Sequence, residues 1–156
     1  MSGRRVPADG SPSARIAVIA EAPAAQEVAQ GHPLVGWSGQ LWMRWLRDAG
    51  LQRADCWIDN VYPFQAPGNQ IARVPRETLS PWVDDLHDRL AALEDPWVIV
   101  PMGGVALKAI LGLDGITKHR GSIYEYVDRR GRRVKCIPAI HPAAIARQPA
   151  WERRCR

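Results

Sequence analysis

Side chains able to do chemistry cluster here in short motifs bounded by proline and glycine: Glu21-Ala-Pro23 with Glu27, Asp59-Asn60, and His141-Pro142. A carboxylate can act as a general base or hold a water. A carboxamide donates and accepts at once, and an imidazole can donate to a developing anion. Each also has an ordinary reading. Asn at a strand end forms turns, His before proline sits in loops, Glu21 could open a surface turn and Glu27 could lie on a solvated helix face. Other constellations are missing from the sequence: it has no Gly-x-x-x-x-Gly-Lys-Ser/Thr phosphate loop, no Gly-x-Gly-x-x-Gly turn, no Gly-x-Ser-x-Gly elbow and no His-x-x-x-His pair. The three cysteines, Cys56, Cys136 and Cys155, are widely spaced without a Cys-x-x-Cys. By themselves they build neither a disulfide framework nor a zinc or iron–sulfur site.

Whether these groups meet depends on the elements that carry them. Arg15–Ala20, Cys56–Asn60 and Trp97–Val100 are short β-rich apolar runs and read as strands. Between them, Leu41, Trp42, Trp45, Leu46 and Ala49 recur at helical spacing behind a Ser38 cap, with Gly50 as the stop. Ser80 and Pro81 suit the cap and first position of a second helix, its stripe formed by Trp82, Val83, Leu86, Leu90 and Leu93. Gly103-Gly104 opens a short helix ending at Gly112, and Ser122–Val127 with Arg133–Ala139 read as a hairpin about Asp128–Gly131. A last helical piece is expected near Pro149. This alternation predicts a three-layer α/β/α sandwich around a small, mainly parallel sheet, in a single domain over 15–156 behind a flexible leader, 1–14. In such sheets ligands bind outside the carboxyl ends of the strands. The loops after Ala20, Asn60, Val100 and Ile140 should therefore bring Glu21, Glu27, Asn60 and His141 to one edge.

Composition sets the outer bounds. With 156 residues, 46% hydrophobic and 24% charged, the chain has the make-up of one ordinary globular domain. No apolar run reaches the roughly 18–20 residues that span a bilayer, and the polar leader lacks a secretion signal, so a cytoplasmic protein is expected. The net charge of +5 is uneven: residues 118–156 hold 11 basic and 3 acidic side chains, the first 117 hold 10 and 13. A basic final third reads as the footprint of a polyanion binder, or as a solubilising hairpin around Arg129, Arg130, Arg132 and Arg133.

Five collinear segments make the chain resemble the uracil-DNA glycosylase superfamily, in particular its iron–sulfur, thermophile-type branch. Ile19-Ala-Glu-Ala-Pro-Ala24 with Gly31-His-Pro-Leu-Val-Gly-Trp-Ser-Gly-Gln-Leu41 is similar to that branch's Gly-Glu-Ala-Pro-Gly and Gly-Arg-Pro-Phe-Val-Gly-x-Ala/Ser-Gly. Asp59-Asn-Val-Tyr-Pro-Phe-Gln-Ala-Pro-Gly-Asn69 resembles Thr-Asn-Val-Val-Lys-Cys-Arg-Pro-Pro-x-Asn. Met102–Gly112, Ile116-Thr-Lys-His-Arg-Gly121 and Ile140-His-Pro-Ala-Ala-Ile-Ala-Arg147 are similar to its remaining motifs. The resemblance implies hydrolysis of the N-glycosidic bond of uracil, or a related deaminated base, flipped out of DNA. His141 would then donate to uracil O2, Asn60 would read the base edge, and Glu21 or Glu27 would position water or steady the sugar cation. Ala22, Pro23 and Leu34 would complete the base pocket. Ser38, Gly39, Pro142 and Ala143 would grip the DNA, and Ile145 and Arg147 would fill the gap left by the flipped base. The partner would be uracil-containing DNA, with the protein acting as a monomer away from membranes.

The chain departs from the pattern in several places. Leu34 replaces the stacking Phe, a contact worth about 1–3 kcal/mol elsewhere; Trp37 is the nearest ring in sequence. Ala143 replaces a Ser, and Ala20 and Ala24 replace glycines. The cluster cysteines are missing: Phe64 stands where one belongs and Trp82 lies near another, so apolar packing is expected in place of the cluster, with no cofactor and no metal. Family members usually continue a closing helix past the position of Arg156, so a shortened or divergent copy fits the resemblance. Two other readings stand beside the glycosylase. One is a catalytically weak relative that binds damaged or single-stranded DNA, and the other an α/β hydrolase of free nucleosides.

Overall fold

The computed structural model describes residues 3–146. Five strands form one sheet in the order β2-β1-β3-β5-β4: β1 (Ile16–Ala20), β2 (Cys56–Asn60), β3 (Val98–Pro101), β4 (Tyr124–Val127) and β5 (Arg133–Cys136). β1 pairs in parallel with β2 on one side and β3 on the other, β3 pairs in parallel with β5, and β4 is the single antiparallel strand. The mainly parallel α/β architecture expected from the sequence is present. Because residues alternate in a strand, β1 contributes Ala17 and Ile19 to one buried cluster and Val18 and Ala20 to another. The first cluster takes Leu86 and Leu90 from α3 (Arg76–Ala91) and Ala106 and Ile110 from α4 (Gly104–Leu111). The second takes Trp42 from α2 (Trp37–Asp48), so the sheet is covered on both faces.

Helix starts differ from the sequence reading. α2 begins at Trp37 with Gly36 as its cap, so Ser38 lies inside the first turn. α3 begins at Arg76, with the Thr78 and Leu79 N–H groups bonded to the Pro75 carbonyl, and Pro81 lies within it. An interior proline removes one backbone bond, a cost that the buried stripe of Leu86 and Leu90 offsets. Two short helices went unread, α1 (Ala25–Gln30) and α5 (Ile116–His119), each too brief to show a period. α6 (Pro142–Ala146) follows His141 directly. The expected helix near Pro149 lies outside the described residues.

The leader expected to be flexible is docked over residues 3–14. Val6 is fully buried and its N–H bonds the Pro63 carbonyl, while Asp9 bridges Ile58 as a short antiparallel extension of β2. The basic hairpin is also committed within the fold. Arg129 pairs with Asp84 and with Asp88, and Arg130 and Arg132 donate to the Ala91, Leu93 and Glu94 carbonyls at the end of α3. Three of the four hairpin guanidiniums thus bond the C-terminal half of α3, while Arg133 stays largely exposed.

The turn itself depends on Asp128, a buried carboxylate that accepts the Arg130 and Arg132 N–H groups at 2.9 Å each and Arg132 Nε at 2.7 Å. Burial alone would raise its pKa, but these donors outweigh burial and hold it below the usual carboxylate range. The folded form therefore gains stability above the ordinary carboxyl pKa of about 3.9 and loses it as pH falls through the lower folded value. Asp128→Asn is expected to cost about 1–2 kcal/mol at pH 7 in urea unfolding, with the deficit narrowing below about pH 4.

Candidate active site

The parallel register puts Ala20 opposite Asn60, so the chains leaving β1 and β2 turn away at the same sheet end. β3 adds its own exit through Met102, bridged to Ala139 just before His141. A cavity of about 260 Å³ opens there, close to the lower limit of small-molecule sites at about 300 Å³. Glu21, Ala22, Pro23, Glu27, Leu34, Ser38, Asn60, His141 and Ala143 all line it. Loops from three different strands thus bring together the groups singled out in the sequence.

Each polar group arrives by a separate local device. Glu21 reaches under α4, where the Val105 N–H donates to its Oε2 at 3.1 Å. An exposed N–H at a helix start favours a carboxylate. This approach needs Gly103, whose φ of +95° lies in the left-handed region and where a Cβ would stand 2.6 Å from Glu21 Oε1 and 3.4 Å from the His141 Cβ. Glu27 is buried in the first turn of α1. Its Oε1 accepts the Ala24 N–H at 3.4 Å, and its Oε2 meets no donor among the described residues. Asn60, 1% exposed, ends β2 with its Nδ2 likewise unpartnered among the described residues. A buried amide nitrogen in that state costs about 1–3 kcal/mol until an acceptor enters the cavity.

His141 is oriented by the turn that follows it. The Ala143 N–H donates to His141 Nδ1 at 3.1 Å. A ring nitrogen that accepts carries no proton, so the neutral imidazole holds its proton on Nε2 and donates there. Leu34 forms a wall of the cavity in an unusual backbone state, with φ at +55°. A side chain with a Cβ is strained there by roughly 1 kcal/mol or more. Arg53 holds the segment in place, donating to the Pro33 carbonyl at 2.6 Å and to the Leu34 carbonyl at 2.9 Å, while its Nη2 also meets Asp9 at 3.0 Å.

Other expected site residues fall elsewhere. Gly39 is buried beneath the Leu34 carbonyl, where a methyl group would overlap it, so its part is close packing of the wall. Pro142 is buried. Ile145 is 2% exposed in α6, which packs on α2, and presents no side chain with which to fill a DNA gap. Trp37, the nearest ring to Leu34 in sequence, is 57% exposed and lies outside the cavity wall, so it does not replace the stacking Phe. Arg147 lies outside the described residues. Ala66, Asn69, Ile71 and Ala144 also line the cavity without having been singled out. Asn69 closes the Asp59–Asn69 motif, so its signal was present. Ile71 had none, because its placement depends on two consecutive single-turn helices.

Among the described residues, the side chains at the positions matched to the cluster cysteines do not fit an iron–sulfur cluster; Cys155 lies outside them. Phe64 packs edge-on against Trp82, ring centres 5.4 Å apart, and the Arg5 guanidinium of the leader lies 5.2 Å from the Trp82 ring centre. Leader, loop and α3 therefore meet through an aromatic and cation stack. Cys56 on β2 and Cys136 on β5 are buried, and burial pushes their thiols up to about 11 and about 12. Among the described residues no group of three or more His, Cys, Asp or Glu is arranged to hold a metal.

A carboxamide, an imidazole and two carboxylates thus line one cavity at the carboxyl end of a mainly parallel α/β sheet. The profile of the Uracil DNA glycosylase superfamily matches residues 7–155, and the chain belongs to that superfamily. It is 37% identical over 150 residues to the type-4 uracil-DNA glycosylase of Archaeoglobus fulgidus, covering 92% of this chain and 73% of that protein. It is 33% identical to the type-4 uracil-DNA glycosylase of Thermotoga maritima (94% and 73%) and 31% identical to that of Pyrobaculum aerophilum (93% and 74%). Among the described residues no helix is long and apolar enough to cross a membrane.

The packing of Gly39 gives a direct check on the wall. Gly39→Ala is expected to cost about 1–3 kcal/mol in urea unfolding, because the obstacle is backbone and cannot swing away. Gly104→Ala, where a methyl would meet nothing within 4 Å, should stay within about 0.5 kcal/mol of the parent.

Proposed function

We propose that this protein is a monofunctional uracil-DNA glycosylase of base-excision repair, binding uracil-containing DNA and hydrolysing the bond between uracil N1 and the sugar C1′. The observation that carries the reading is Asn60: a fully buried carboxamide whose Nδ2 has no partner among the described residues, on the wall of a cavity shared with His141 and two glutamates. A flipped uracil would offer O4 to the Asn60 nitrogen and N3–H to its oxygen. Cytosine reverses both polarities and would leave two buried groups opposed. The type-4 relatives, named for action on uracil in DNA, support the same substrate.

In the reaction, electrons of the C1′–N1 bond leave with the base, placing negative charge on uracil O2 and positive charge on the sugar. His141, proton on Nε2, would donate to O2; one such contact is worth on the order of 3–4 kcal/mol in comparable sites. Water then adds to C1′ and gives up a proton. Glu27 has the spare acceptor to hold that water, whereas Glu21 is bonded to the start of α4 and would steady the sugar cation. Ser38 and Ala143, at the cavity mouth, would lie against the flanking phosphates. Leu34 favours one further reading, a weakly catalytic DNA-binding relative, because an aliphatic wall lacks the ring on which the base would stack.

Single-turnover cleavage of single-stranded and U:G oligonucleotides decides between them. The parent should release uracil. Asn60→Ala and His141→Ala should each slow release by a factor of roughly 100 or more while leaving the urea midpoint near that of the parent. Salt-sensitive binding without release would move the protein to the binding class. Cleavage of free nucleosides alone would remove DNA as the substrate.

A further inference from the structure

We infer that Asp59 and Arg89 are positioning residues that hold Asn60 in its reading orientation, an inference that rests on the glycosylase reading above. β2 is the edge strand of the sheet, so alternate residues point their backbone N–H and C=O away from β1 with no strand to receive them. At Ile58 the leader fills this role, its Asp9 exchanging both backbone bonds at 2.8 Å. Two residues on, at Asn60, the leader has turned away and side chains take over. Asp59 Oδ1 accepts the Asn60 N–H at 2.8 Å, and Arg89 Nη1 donates to the Asn60 carbonyl at 3.2 Å while pairing with Asp59 Oδ2. Arg89 is itself anchored on α3 through Asp85 at 2.8 Å and the Trp82 carbonyl at 3.4 Å.

Strand alternation sends Asp59 to the α3 face and Asn60 to the cavity face. The ion pair therefore never touches the base, yet it grips both backbone groups of the residue that reads it. A guanidinium makes several donations in one plane, and lysine offers a single point. A displacement of the order of 1 Å at a reading group can cost 10–100-fold in rate.

The test is a double-mutant cycle on single-turnover release of uracil from a single-stranded oligonucleotide, using the parent, Arg89→Lys, Asn60→Ala and the double variant. Arg89→Lys should slow the parent at least tenfold but the Asn60→Ala protein less than twofold, with oligonucleotide affinity by fluorescence anisotropy held within twofold. Equal slowing in both backgrounds would make Arg89 a support of the fold only and overturn the inference, as would no slowing in either. Asp59→Asn carries the same cycle should Arg89→Lys fail to fold. If the parent itself releases no uracil, the glycosylase reading fails, and the clamp is then read by ¹⁵N–¹H spectra. The Asn60 side-chain amide pair, identified by its loss in Asn60→Ala, should be sharp in the parent and shifted or broadened in Arg89→Lys or Asp59→Asn. An unmoved pair overturns the clamp.

Discussion

The in-register parallel pairing of β1 with β2, Ala20 opposite Asn60, is the constraint on which the pocket depends. It ends both strands at the same level, so that Glu21 and Asn60 leave the sheet side by side. The bridge from Met102 to Ala139 brings His141 to the same level from the other side. A slip of one residue along β2 would exchange the faces of Asp59 and Asn60, placing a carboxylate in the cavity and the carboxamide against α3. The buried runs on both faces of β1 oppose such a slip, because each face already contributes to its own apolar cluster.

Four arginines close backbone ends inside the fold. Arg53 fixes the carbonyls of the Pro33–Leu34 wall, Arg89 those at the end of β2, and Arg130 and Arg132 those at the end of α3. In each case a planar guanidinium reaches carbonyls that no strand or helix can satisfy. A positive total is therefore a poor guide to where a polyanion binds. Of the three buried side-chain polar atoms without partners among the described residues, two line the pocket, and the third is Trp45 Nε1. Glu27 Oε2 and Asn60 Nδ2 are buried there without partners among the described residues, a state that a folded chain tolerates where binding resolves it.

The leader, the loop after β2 and α3 meet at one junction. Here Phe64, Trp82 and Arg5 meet at the junction, and Val6 and Asp9 extend the grip along the edge strand.

Local pattern in the chain was enough for the strands, their mainly parallel pairing and the site edge, while the strand order came from the structure. β-rich runs of four to six residues between helical periods admit few other arrangements, and the carboxyl-end rule then selects Glu21, Glu27, Asn60 and His141. Even the helix from Gly104 was legible, because Gly103 and Gly112 mark its ends. Tertiary structure alone decided the rest. Ser38 is no cap, because α2 starts from Gly36, and Ile145, assigned to a DNA gap by resemblance, is buried where α6 packs on α2. The hairpin arginines bond to the end of α3, some forty residues earlier in the chain. Leu34 holds a left-handed backbone through Arg53, and Asn60 is gripped through Arg89, each across a sequence distance at which no spacing rule operates. Strand and helix periods are written by neighbours in sequence. The satisfaction of buried polar groups is settled by neighbours in space.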